Sequence, residues 1–351
     1  MPQQDITISQ QPEQDIAQAI SRCPHDRLFV LTDTTTRRLC WPLVSSLDCL
    51  HGAQMVTIEE KDEHKTLESL QTVWKALQDG GATRHSLLVN LGGGMVTDLG
   101  GFAASTFKRG MPYLNIPTTL LSQVDASVGG KTGINFGGMK NEIGVFSSPK
   151  AVVICGEFLR SLDTQNLLSG FAEMLKHGLL SDEAHLAELL RFDLDDPDYT
   201  TLTRLIGKSV AVKERIVTQD PTEQGIRKAL NLGHTAGHAI ESLALESGHP
   251  VLHGYAVAWG LICALYLSTM KTQFPKQLLR QMVCFIREHY GDASIGCKQY
   301  DRLYEFMTHD KKNHGNTILF TLLGGIGDIR TDQPVGRDEI FEMLDFLREG
   351  G

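Results

Sequence analysis

One join between strand and helix constrains this chain more than any other feature. Residues 86–101, SLLVNLGGGMVTDLGG, run from a short apolar stretch through Gly92, Gly93 and Gly94 into a helical pattern. Glycines at a strand exit let the backbone approach a pyrophosphate, and the helix that follows turns its positive end towards it. Such a turn suits a parallel sheet with crossover helices, and the flanking sequence has that rhythm. The runs RLFVLTD, QMVTIEE, SLLVNLGGG, PYLNIPTT and KAVVIC have the length and apolar character of buried strands. Between the second and third, HKTLESLQTVWKALQDGG sets Leu67, Leu70, Val73, Trp74 and Leu77 at helical spacing before a glycine stop. The pattern predicts an α/β domain that binds ligands at the carboxyl ends of its strands.

Beyond about residue 163 the character changes. LLSGFAEMLKHGLL, TLTRLIGKSVAVKERIV and RKALNLGHTAGHAIESLAL read as helices, with few alternating runs. A length of 351 residues suits two domains. We expect a Rossmann-like α/β domain with a parallel sheet over residues 1–165, and a mainly α-helical domain over residues 166–351. The uncharged run 254–270 falls short of the roughly 20 residues of a membrane span and reads as a buried helix. The start, MPQQDITISQQPEQD, lacks the basic and apolar segments of a signal peptide, so a cytoplasmic location is expected. Seven scattered cysteines with no CxxC pair read as reduced thiols. Lys plus Arg number 33 against 42 Asp plus Glu, a formal charge of -9, which disfavours nucleic acid and anionic membrane as partners. An anionic substrate then needs a local basic pocket.

Several residue sets carry chemistry. Thr97 stands where a GxGxxG pattern has its third glycine, and Asp98 can cap or order the turn. Residues 116–144, IPTTLLSQVDASVGGKTGINFGGMKNEIG, read as a glycine-rich connection in which Lys131 and Lys140 can hold anionic oxygens and Thr118 and Thr119 can donate to a cofactor. Asp125 is a candidate acid, base or hydroxyl anchor. In SGFAEMLKHG, Glu173, Lys176 and His177 share one helix face, a pattern that solvated faces also show. NLGHTAGHAIE sets His234 and His238 one turn apart, with Asn231 a turn earlier, and VLHGYAVAWG adds His253. A carboxylate with two imidazoles suits a catalytic zinc with open positions, and spacing alone does not choose the two. Arg109, Lys213, Arg227, Lys311 and Lys312 form a basic set within an acidic chain.

Taken in order, SVGGKTGIN, GHTAGHAIE and DKK, with FKRG and IPTT, resemble the 3-dehydroquinate synthases over about residues 33–327. The resemblance implies a lyase of the shikimate pathway that uses NAD and zinc or cobalt on 3-deoxy-D-arabino-heptulosonate 7-phosphate. Its metal site falls on Glu173, His234 and His253. NAD would lie along Asp62, Glu63, Lys65, Gly92, Gly93, Gly94, Met95, Val96, Thr97, Asp98, Thr118, Thr119, Lys131, Lys140, Phe158, Leu159, Arg160 and Ser161. Asp125, Lys131, Asn141 and Lys176 match hydroxyl-binding positions, and Lys213 and Arg227 match those that grip the carboxylate. Asn231, His238 and one of Lys311 and Lys312 match the phosphate site, which Arg109 reaches from a neighbouring subunit in a homodimer. Of these, Asp125, Lys131, Glu173, Lys176 and His238 are the catalytic candidates. Tyr255 in place of glutamate, Thr97 in place of glycine, Asp62 in place of glutamate, and DPTE in place of DExE at residues 220–223 depart from the common pattern. The alternatives are another sugar phosphate cyclase, or a metal-dependent polyol dehydrogenase that would release NADH.

Overall fold

The computed structural model describes residues 4–137, 139–308 and 317–350. It contains two compact units, Met1–Asp163 with Asp198–Val210, and Thr164–Pro197 with Ala211–Gly351. A single cut after residue 165 therefore misses the return of residues 198–210 to the first unit. The helix Tyr199–Gln219 begins in one unit and ends in the other.

The first unit is built on β1 (Asp5–Ser9), β2 (Leu28–Asp33), β3 (Gln54–Ile58), β4 (Leu87–Gly92), β5 (Tyr113–Pro117) and β8 (Ala151–Cys155), with β6 (Lys131–Phe136) and β7 (Met139–Phe146) forming a separate hairpin. The six strands are ordered β1-β8-β5-β4-β2-β3, with every pair parallel. Successive side chains in a strand point to opposite faces, and a sheet covered on both faces needs apolar residues on each. Leu28, Val30, Leu87, Val89, Leu114 and Ile116 pack with Ile16 and Ile20 on one face. Their neighbours Phe29, Leu31 and Leu88 pack on the other with Leu70, Val73 and Leu77 of the helix Leu67–Asp79, and with Val96 and Leu99. Leu67, in the first turn of that helix, is instead 36% exposed.

Two features of this unit depart from the sequence reading. The polar N-terminal stretch supplies β1, which pairs with β8 at the sheet edge. The glycine-rich connection is partly ordered as β6 and β7, whose Gly133 and Gly144 face one another across the ladder.

In the second unit the helix His253–Thr272 is buried along most of its length, which is why its sequence is nearly free of charge. Among the described residues no helix is long and apolar enough to cross a membrane. Two expectations need correction. RKALNLGHTAGHAIESLAL is not one helix: a short turn, Ile226–Asn231, ends before Gly233, whose φ of +79° reverses the chain, and a new helix starts at His234. Asn231 is therefore not a turn earlier on the helix of His234. The second correction is an antiparallel hairpin, β9 (Ile318–Gly325) with β10 (Asp328–Val335), where few alternating runs were expected.

Candidate active site

Three helices of the second unit converge on one carboxylate. Glu173 lies in Thr164–Leu179, His234 opens His234–Glu246, and His253 opens His253–Thr272. Backbone contact brings the first and third together. A Cβ at Gly254 would sit 1.9 Å from the Ser169 carbonyl oxygen, so only glycine admits the approach. The Gly254 N–H donates to Ser169 Oγ at 3.0 Å, which caps a helix that its own Leu252 leaves without a side-chain cap. One turn after Ser169, Glu173 Oε1 lies 3.3 Å from His234 Nε2 and 3.4 Å from His253 Nε2.

The far side of each ring sets its tautomer. His234 Nδ1 faces the Leu232 carbonyl at 3.1 Å, and His253 Nδ1 faces Glu241 Oε2 at 3.2 Å. In a neutral ring with its proton on Nδ1, Nε2 turns its lone pair towards the buried Glu173 carboxylate, which the Lys176 ammonium pairs from its other side. The buried carboxylate needs positive charge beside it, which the Lys176 ammonium and a proton on His253 supply when no metal is bound. This donor set fits a divalent metal with nitrogen and oxygen preferences.

Without a metal, protons and Lys176 balance the charge of the site. Burial opposes ionisation of Glu173, yet the Lys176 ammonium paired with it and the adjacent His234 hold its carboxyl well below the usual range. Burial and then Lys176 push His234 down. At His253 burial is outweighed by Glu173 and Glu241, which raise it to about 10. His238, exposed one turn beyond His234, has a ring nitrogen within 4.8 Å of those of His234 and His253. Spacing left the pair of imidazoles open; Glu173 Oε1 faces His234 and His253.

In the first unit the glycine turn has the form expected of an anion site. The helix Gly94–Thr106 starts with Gly93 as its cap, with no side-chain acceptor and no acidic residue in its first turn, so its leading N–H groups remain available. A Cβ at Gly93 would press on Thr119 Cγ2 at 3.1 Å. The Thr118 hydroxyl oxygen is buried without a hydrogen bond of normal geometry. Thr97 turns inward, its hydroxyl donating to the Gly94 carbonyl at 3.1 Å, which explains why the turn tolerates a residue other than glycine. The fit is to an anionic cofactor carried on backbone amides.

The comparisons with known proteins now bear on this arrangement. The family model for the N-terminal part of 3-dehydroquinate synthase matches residues 55–169, and that for the C-terminal part matches residues 170–313. A 3-dehydroquinate synthase of Parabacteroides distasonis is 52% identical over 349 residues, 99% of each chain. The chain belongs to the 3-dehydroquinate synthase family. Another family member, from Clostridium tetani, is 35% identical over 92% of this chain and 86% of its own. Among solved structures, the 2-epi-5-epi-valiolone synthase of Streptomyces hygroscopicus with NAD+ and Zn2+ bound superposes with a TM-score of 0.87 at 25% identity, covering 98% of this chain and 96% of that one. A 2-deoxy-scyllo-inosose synthase with carbaglucose-6-phosphate, NAD+ and Co2+ has a TM-score of 0.83 at 22% identity, covering 99% and 96%. The latter likeness establishes the fold.

For this synthase family member the remaining candidates fall into groups. Lys65 is buried and bonds both Asp98 Oδ2 and Asn141 Oδ1 at 2.5 Å, tying the β6–β7 hairpin to the glycine-turn helix. Lys140 pairs with Asp62 at 3.4 Å on the surface, near the exposed Glu63. Asp125 lies in a wide turn closed by the Ser127 N–H on the Ser122 carbonyl at 3.0 Å, a geometry frequent at functional sites. Phe158 and Leu159 are core side chains, whereas Arg160 is exposed and bonds Glu157 at 2.7 Å, and Ser161 is exposed. Met95 is partly buried and Val96 fully so, while Lys131 is exposed.

Lys176, Lys213 and Arg227 are buried in the second unit. Arg227 sits in a loop ordered by Asp220, whose carboxylate accepts from the N–H groups of Gln224 at 3.0 Å, Gly225 at 2.7 Å and Arg227 at 3.1 Å. Asn231 donates to Glu223 Oε1 at 2.9 Å. Lys311 and Lys312 lie outside the described residues. Ser169, Asp220, Glu223 and Glu241 were missed as site residues. Ser169 stands one turn before Glu173, and Glu241 falls two turns after His234 on the face of His238, spacings that could have pointed to them.

Proposed function

We propose that this chain converts 3-deoxy-D-arabino-heptulosonate 7-phosphate to 3-dehydroquinate and inorganic phosphate, as a carbon-oxygen lyase of aromatic amino acid biosynthesis. The observation that carries the reading is the convergence of two imidazole Nε2 atoms on the buried Glu173 carboxylate. Residues 1–165 serve as the NAD-binding domain and residues 166–351 as the metal- and substrate-binding domain. Glu173, His234 and His253 hold zinc or cobalt, and the residues of the glycine turn with Thr118 and Thr119 hold NAD. When bound, the metal acidifies a substrate hydroxyl and NAD lends a reversible hydride acceptor.

This chain's own groups then do the orienting. Lys213 and Arg227 grip the carboxylate, and burial strengthens their attraction for an anion. Such buried cations suit a sugar acid better than a hexose phosphate, which has no carboxylate to grip. Asp125, Lys131, Asn141 and Lys176 hold hydroxyls, while Asn231, His238 and a lysine of the Lys311 and Lys312 pair take the phosphate. Arg109, exposed on a turn with a φ of +66°, reaches the phosphate of a neighbouring subunit's site in the homodimer this reading entails. The enzyme works in the cytoplasm.

Incubation with the heptulosonate phosphate, zinc and NAD below stoichiometry tests this. Phosphate and cyclic product should appear together, many per NAD, with no net NADH. Accumulation of NADH from a simple polyol, without phosphate release, would overturn the reading in favour of a dehydrogenase.

A further inference from the structure

We propose that Glu241 is a positioning residue for the metal site, holding the His253 ring by its Nδ1–H so that Nε2 faces Glu173. This rests on the reading of Glu173, His234 and His253 as metal ligands. The two imidazoles are oriented by different means. His234 Nδ1 faces the Leu232 backbone carbonyl, 3.1 Å away and two residues earlier, so its partner behind the ring is local backbone. His253 is held by a side chain twelve residues earlier, Glu241 Oε2, at 3.2 Å. Glu241 is 9% exposed, and its side chain is more buried than that of His253, at 11% against 28%.

Position argues for the role as well. His253 is the first residue of its helix, where no preceding turn packs against the ring. Glu241 lies two turns into the helix that His234 begins, so one contact locks the second ligand to the helix of the first. Nδ1 and Nε2 point away from each other across an imidazole, and Glu173 faces Nε2. Glu241 therefore approaches from behind the ring and orients a ligand without being one. A carboxylate behind a metal-bound histidine also raises its basicity, and losing such a partner typically costs about 10 to 100-fold in metal affinity.

The test is zinc titration of the full chain against a chromophoric chelator, with the cobalt absorption spectrum as a second readout. Glu241→Ala should weaken zinc binding by about 10 to 100-fold and shift the cobalt bands. Glu241→Gln, whose amide oxygen accepts the same hydrogen bond, should recover most of the affinity and the spectrum. Circular dichroism of the metal-free forms checks folding, and Glu241→Leu, which fills the same space, replaces the alanine variant should that one misfold. Wild-type affinity and spectrum in the alanine or leucine variant would overturn the proposal. So would a glutamine variant as weak as alanine. Failure of the underlying site looks different: wild type itself would then bind no stoichiometric metal, or would bind it equally after His253→Ala.

Discussion

The two units build their candidate sites from opposite materials. In the first, the glycine turn offers backbone: an uncapped helix start and small residues that keep side chains out of the way. In the second, side chains from three helices meet at Glu173, and backbone serves only to bring the helices close. A backbone site is local, because consecutive residues make it and few substitutions move it far. A side-chain site is a tertiary product, sensitive to every contact that sets the helix spacing. The two should therefore fail differently under mutation.

The largest effect is expected at the hub. Glu173→Ala should abolish metal binding and lower turnover by roughly 10³-fold or more, beyond the ~10 to 100-fold cost of losing a group that only orients a ligand. Metal analysis beside a phosphate-release assay checks it. Chelation of the wild type should likewise remove turnover, restorably with zinc, while NAD affinity measured by fluorescence titration stays within about twofold. Loss of both together would break the contrast between the units.

Next in size is Gly254→Ala. Its Cβ would meet the Ser169 carbonyl oxygen at 1.9 Å, so helix spacing must change. We expect a destabilisation of about 3 kcal/mol, at the upper end for overpacking, seen in chemical denaturation, with zinc affinity falling too. Gly93→Ala should be milder: its new methyl would lie 3.1 Å from Thr119 Cγ2, leaving the fold intact and weakening NAD by about tenfold, near 1.4 kcal/mol. Smallest is Asp220→Ala. Losing three backbone hydrogen bonds should loosen the loop of Arg227 and raise the substrate KM about tenfold or less, with zinc affinity unchanged. A fall in zinc affinity there would mean that loop and metal centre act as one body.

Legibility followed the same division. Alternation of apolar residues to both faces, as in Leu28, Phe29, Val30 and Leu31, announces a doubly covered parallel strand. The glycine turn was likewise readable, since its signal occupies adjacent positions. β1 was not, because an edge strand is half solvated and DITIS carries a weak pattern. At the proposed metal site, residue types and spacing marked Glu173, His234, His238 and His253 as candidates. They did not choose among the imidazoles, and it was family resemblance that selected His234 with His253. The break at Gly233 was hidden because a single left-handed residue leaves helical periodicity intact on either side.

By itself, then, the sequence determined the strand–helix rhythm, the glycine turn and the supply of ligating side chains, all of which depend on neighbours along the chain. Which imidazoles face Glu173, and which carboxylate stands behind His253, was decided only when Ser169 met Gly254. Contacts of that kind depend on distances between helices, and no short stretch of residues encodes such a distance.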